Sequence, residues 1–157
     1  MAPVSARAQA PGPLVRPRGA IGLLGLTVAL LGGCGSVEDP LADRVDGRTY
    51  VSASVEGHDL VAGSTITLTF EGEDLAARAG CNTMRGGWTD GDGEEVRWTS
   101  PPASTLMACE PALMDQDTWL AGLLTDGMDV VDGDADLTLT SGDVTIALDE
   151  SAATSGG

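Results

Sequence analysis

Asp132, Asp134 and Asp136 repeat positions 1, 3 and 5 of a calcium loop, and Asp143 falls at position 12. Such a loop needs glycine at position 6 for its sharp turn and a bidentate glutamate at position 12. Here those positions are Leu137 and an aspartate. Asp90-Gly-Asp92-Gly-Glu94 offers fewer ligands still. Both clusters therefore read as acidic turns on a solvated surface, and no metal or other cofactor is expected. Nucleophilic catalysis lacks its parts. The lone histidine, His58, sits in Glu56-Gly-His-Asp59, far along the chain from any cysteine, and reads as a solvated turn residue. There is no Gly-x-Ser-x-Gly elbow, and without lysine no Ser-x-x-Lys. Carboxylates abound, but a glycosidase also needs a cleft, usually lined by aromatics, and the chain has only three Trp, one Tyr and one Phe. No enzyme activity is expected.

Charge excludes another class. The 157 residues carry 24 acidic and eight basic side chains, a formal net charge of −16, and every basic residue is arginine. Nucleic acid is not expected as a partner, because phosphate binding with counterion release needs a basic patch. Arg7, Arg16 and Arg18 precede an apolar run over residues 20–31. Basic and then apolar is the order of a secretory signal, and the run is well short of the ~20 residues that span a bilayer as a helix. Leu31-Gly32-Gly33-Cys34, directly after it, resembles a bacterial lipobox. The resemblance implies cleavage between Gly33 and Cys34 and acylation of Cys34, which anchors the protein to the extracytoplasmic face of the cell membrane. A buried core helix over 20–31, and an ordinary cleavage site beside a chance cysteine, are the alternatives. Residues 1–33 are thus the expected signal peptide, 34–45 the lipidated cysteine and a polar tether, and 150–157 a disordered tail. Losing residues 1–33 removes three arginines and no acid. The remainder becomes more acidic, which suits a domain held off an anionic membrane surface. The lysine-free usage, rich in Ala, Gly, Asp and Arg, resembles that of a high-GC bacterium.

The domain over 46–149 must position everything else, and period-two alternation dominates it. Ile66, Leu68 and Phe70 share one face of residues 65–70, with threonines on the other and Gly72 as a turn signal. Residues 95–99 repeat the pattern with Val96 and Trp98 inward. Residues 137–140 and 144–148 flank Ser141-Gly142-Asp143 as a hairpin. Residues 49–55 and 76–79 are further strands, and alternation leaves open whether Tyr50 or Val51 faces the core. Across 111–124 the period changes. Leu113, Gln116, Leu120, Leu123 and Leu124 recur at three and four, Pro111 suits a first helical position, aspartates lie in the early turns, and Gly127 is a stop. The strands follow too closely for crossover helices, so the sheet is predicted to be mainly antiparallel. The fold class is mainly β: a small antiparallel barrel or curled sheet with one packed helix. Trp88, Trp98 and Trp119 are expected to fill its core.

Two local patterns carry a family resemblance. Gly80-Cys81-Asn82 is followed by Gly86-Gly87-Trp88, and Thr105-Leu-Met107-Ala108-Cys109 precedes the helix. This order resembles the META domain, also called HslJ-like. The likeness extends from Gly47-Arg48-Thr49-Tyr50, where the family usually has Gly-x-Trp, to the closing hairpin. It implies a lipocalin-like β-barrel crossed by a helix. It also implies links to heat response, novobiocin resistance and envelope phenotypes, with no established reaction. With Cys34 assigned to lipid, Cys81 and Cys109 remain as a pair, either a disulfide that export permits or two buried thiols. Two functional classes follow. One is an anchored, non-enzymatic protein that binds an envelope protein partner and shows an exposed apolar patch. The other is a carrier or sensor of a small apolar ligand in the barrel, with an enclosed pocket.

Overall fold

The computed structural model describes residues 39–131, 133 and 135–152. The expected signal peptide, Gly33 and Cys34, most of the expected tether, Asp132, Asp134 and residues 153–157 lie outside the described residues.

Alternation produces strands β1 (Thr49–Glu56), β2 (Thr67–Glu71), β3 (Asp74–Arg78), β4 (Thr83–Thr89), β5 (Glu95–Trp98) and β6 (Ala103–Ser104). After helix α2 (Pro111–Asp126) come β7 (Met128–Val131), β8 (Leu137–Ser141) and β9 (Val144–Glu150). A five-residue helix, α1 (Leu41–Val45), precedes them all. Every strand pairing is antiparallel. The sheet runs β3-β2-β1-β9-β8-β7-β5-β4, and the additional β3–β4 pairing closes it into an eight-stranded barrel. β6 extends the sheet from β4 as a short outer strand.

Antiparallel closure sorts the connections between two ends. The β1–β2 loop, the β3–β4 turn, the β8–β9 turn and the long β5–β7 excursion carrying α2 gather at one end, called here the roof. The β2–β3, β4–β5 and β7–β8 connections lie at the other, the floor, together with α1. Helix α1 plugs the floor with Leu41 and Val45, which are 1% and 2% exposed. The expected tether over 34–45 thus ends in a helix that belongs to the fold, because apolar residues at i and i+4 share one helical face.

The interior is packed with side chains. Phe70 stands edge-on to Trp88, with ring centroids 4.8 Å apart, and Tyr50 edge-on to Phe70 at 6.0 Å. Tyr50, not Val51, is the core residue of β1. In the β8–β9 hairpin, Leu137 faces Leu148 and Leu139 faces Ile146 across the ladder, all four buried. A two-residue turn joins these strands, with Gly142 at φ +58°. Trp88 and Trp98 lie in the core as expected, their indole N–H groups donating to the carbonyls of Gly72 (3.0 Å) and Leu75 (3.4 Å). Trp119 departs from the expectation. It is half-buried on the flank of α2 and stacks flat on His58, with centroids 3.8 Å apart and planes 10° apart. His58 is therefore a packed aromatic partner rather than a solvated turn residue; the β1–β2 loop folds back against the helix and brings the two together.

β4 escaped periodicity because Gly86 and Gly87 stand where its alternation of Met84 and Trp88 would otherwise be plain. Gly86 is needed for close approach: a Cβ there would lie 3.3 Å from the Cα of Pro102.

Candidate functional site

The roof is organised around one buried carboxylate. Asp117, in the second turn of α2, is 5% exposed. Its Oδ1 accepts the N–H of Gly80 at 2.8 Å, and its Oδ2 accepts those of Cys81 at 3.1 Å and Asn82 at 2.7 Å. Three successive backbone N–H groups thus wrap one carboxylate, an anion nest occupied from within the chain. Gly80 allows the approach, since a Cβ on it would lie 2.5 Å from the Leu113 carbonyl oxygen. Beside Asp117, Gln116 crosslinks three segments. Its Oε1 accepts the N–H of Val61 at 2.6 Å, and its Nε2 donates to the Ser64 hydroxyl at 2.8 Å and to the Ala79 carbonyl. Gln116 lies on the buried face that its spacing predicted, and its amide satisfies roof backbone there.

Asn82 passes this order outward. Its Oδ1 accepts the Thr105 hydroxyl at 3.0 Å and the Met107 N–H at 2.8 Å. The Thr105 hydroxyl in turn accepts the Thr83 N–H at 3.0 Å. Cys81 and Cys109 form a disulfide with Cα atoms 6.1 Å apart. Residues 105–109 are therefore tied to the barrel at both ends, although the middle of the segment buries almost nothing.

That segment walls an outer groove of about 700 Å³ between α2 and the β4–β6 edge. Met84, Pro102, Met107, Ala108, Met114 and Ala121 give it an apolar lining, with Thr105, Asp115 and Thr118 among its polar residues. Leu106 is 97% exposed, Met107 60% and Met114 43%. A fully exposed leucine held in place by hydrogen bonds and a disulfide on its flanks is a surface feature that folding does not require.

The sequence pattern described as "META domain" matches residues 43–153. The chain belongs to the META-domain family. Two solved structures share its fold. One is an NMR structure of a protein from Burkholderia xenovorans, 21% identical, with a TM-score of 0.53, covering 72% of this chain and 90% of that one. The other NMR structure is 19% identical, with a TM-score of 0.50, covering 69% of this chain and 92% of that one. Comparison with curated proteins finds no match.

In this META domain the motif residues converge as one clamp: Gly80, Cys81 and Asn82 around Asp117, with Thr105, Met107 and Cys109 fastened to them. Trp88 stands apart, in the core near the floor. Sequence reasoning missed Asp117. Its signal was its place on the helix, three and seven residues before the buried Leu120 and Leu124, where an ionisable side chain needs buried partners. The acidic residues of the calcium-loop spacing are separated by β8, with Asp136 at the floor and Asp143 at the roof. Asp143 occupies the β8–β9 turn, and the Asp136 carboxylate accepts the Glu150 N–H at 2.7 Å. Leu137 is a buried strand residue and cannot serve as the bend of a calcium loop. Among the described residues no three His, Cys, Asp or Glu side chains are grouped to hold a metal ion.

Proposed function

We propose that this META-domain protein is exported, is anchored through lipid on Cys34 to the extracytoplasmic face of the cell membrane, and binds an extended apolar segment of an envelope protein, without catalysing a reaction. The observation that carries the binding is the outer groove with Leu106, Met107 and Met114 exposed beside it. Two features favour an extended peptide. β6 is the terminal strand of the sheet, so its outer edge offers backbone N–H and C=O groups for strand addition. Methionine thioethers adapt their shape to varied apolar side chains. The anchoring rests on the basic, apolar, Leu-Gly-Gly-Cys order of residues 7–34. The carrier reading has less support, since Phe70, Trp88, Trp98 and their neighbours occupy the barrel interior.

Two outcomes test the reading. Cys34→Ala is expected to abolish palmitate labelling and release the protein from the membrane fraction; unchanged labelling excludes the anchor. A photo-crosslinker at residue 106 in the membrane-bound protein is expected to trap one discrete envelope protein. Glu substitution of both Met107 and Met114 should abolish that adduct while changing unfolding free energy by no more than about 0.5 kcal/mol, as for exposed sites. Trapping only bulk lipid and abundant neighbours, or an adduct indifferent to the substitutions, counts against a specific partner.

A further inference from the structure

The segment that walls the groove is built in a way that groove formation alone does not call for. Residues 103–108 are all exposed, and Leu106 among them leaves 97% of its surface in solvent. Exposed connecting segments are ordinarily mobile. This one is fastened on both sides of a single peptide bond, Leu106–Met107. Before the bond, β6 pairs Ser104 with Met84, the Thr105 N–H donates to the Thr83 carbonyl at 3.0 Å, and the Thr105 hydroxyl donates to Asn82 Oδ1 at 3.0 Å. After it, the Met107 N–H donates to that same oxygen at 2.8 Å, and Cys109 is bridged to Cys81, the neighbour of Asn82.

Asn82 is itself held. It is buried, its backbone N–H donates to Asp117 Oδ2 at 2.7 Å, and its Nδ2 donates to the same oxygen at 3.4 Å. A carboxylate only accepts, so the amide turns its nitrogen inward and its oxygen out to the loop. One fixed oxygen atom thus sets the residues before and after Leu106, while the leucine side chain stays in solvent.

A serine protease cleaves an extended segment by moving the acyl group of one residue onto its serine and giving a proton to the leaving amine. In a flexible substrate that amine diffuses away. Here it would stay on Asn82 and, through Cys109, on the domain. We propose that residues 103–108 are the reactive loop of a serine-protease inhibitor, with Leu106 filling an apolar S1 pocket. The protease serine attacks the Leu106 carbonyl carbon, the Leu106–Met107 bond breaks, and the serine proton passes through the protease histidine to the Met107 nitrogen. Held in place, that amine attacks the ester, re-forms the peptide bond and returns the proton to the serine. The loop is bound with little net cleavage, and its preset shape spares the entropy of ordering a substrate. Leucine suits an apolar pocket, and residues 103–108 include no basic side chain for a pocket that carries an aspartate. This goes beyond the groove and does not rest on its occupancy: there a partner's segment enters this domain, whereas here the loop enters the partner.

Titration of chymotrypsin with the full-length, detergent-solubilised protein tests the assignment. Stoichiometric 1:1 inhibition is expected, with the Leu106–Met107 bond intact in most of the recovered protein by mass spectrometry. Leu106→Arg should weaken that inhibition at least about a hundredfold and confer inhibition of trypsin, whose S1 pocket carries an aspartate. Asn82→Ala, checked for its fold by thermal melting, should become a substrate cleaved at the same bond. Rapid turnover of the wild-type loop without inhibition overturns the proposal, as does no effect on chymotrypsin at all. Inhibition indifferent to Leu106→Arg, or equally tight in a folded Asn82→Ala variant, overturns it as well. Because a purified protease is the probe, each outcome is read separately from the membrane crosslink that tests the groove.

Discussion

Asp117→Ala is expected to destabilise the domain by about 3–5 kcal/mol, with the midpoint of urea unfolding falling accordingly and little change in slope. The alanine leaves the N–H groups of Gly80, Cys81 and Asn82 without their acceptor in a site where Cys81 and Asn82 are themselves buried. Each unsatisfied buried donor costs roughly 1–3 kcal/mol, and water entering the vacated space recovers part of the sum. Asp117→Asn preserves shape and one acceptor oxygen but turns an NH2 group toward backbone donors. It should fall between the wild type and alanine, at about 2–3 kcal/mol. Amide exchange at residues 80–82 supplies a local readout and should accelerate in both variants before global unfolding. A loss below about 1 kcal/mol for Asp117→Ala would show that the nest is satisfied by other means. Against the 5–15 kcal/mol typical of a native domain, the expected loss leaves a protein near its threshold.

Removing the Cys81–Cys109 bridge, by reduction or by serine at both positions, is expected to cost about 3–4 kcal/mol. The chain-entropy argument supplies that magnitude for a bridge whose cysteines are 28 residues apart. The comparison is made as chemical denaturation with and without reductant, and the serine pair should match the reduced wild type. A second consequence follows from the place of the bridge. With it gone, residues 105–109 are held at Thr105 by Thr83 and Asn82 and at Met107 by Asn82, with nothing covalent beyond. The wall of the groove then becomes mobile, and crosslinking through residue 106 should fall well before the barrel unfolds. If the reduced domain keeps full crosslinking and loses less than 1 kcal/mol, the hydrogen bonds alone suffice and the bridge is incidental.

Both effects arise at contacts of long sequence separation, which also decides what could be read in advance. The strands at 67–71, 95–98 and 137–150 were legible because each carries its own alternation. Helix α2 was legible from Pro111, its three-and-four spacing and Gly127. Those signals are local. The strand at 83–89 hid behind Gly86 and Gly87, whose missing side chains are a response to Pro102 and Thr99 across the sheet. Helix α1 hid because five residues carry too little periodicity to separate a plug from a tether. The Gly-Cys-Asn and Thr-x-Met-Ala-Cys segments stood out as patterns, but the carboxylate that explains the first lies 35 to 37 residues away, on another element.

The sequence by itself determined that this chain would make an antiparallel, mainly β domain with one helix. It also determined that the chain has a single histidine and no lysine, and that its cysteines divide into one near the amino terminus and a pair in the domain. Tertiary structure alone decided that the pair is bridged, that Asp117 is the centre of the roof, and that Trp119 leaves the core to stack on His58. It also decided that Leu106 stands in solvent while Tyr50, rather than Val51, is buried. The physical reason is the same in each case. Alternation and helical period follow from the geometry of neighbouring residues, whereas burial, hydrogen-bond satisfaction and exposure depend on which distant segments the closing of the barrel brings together.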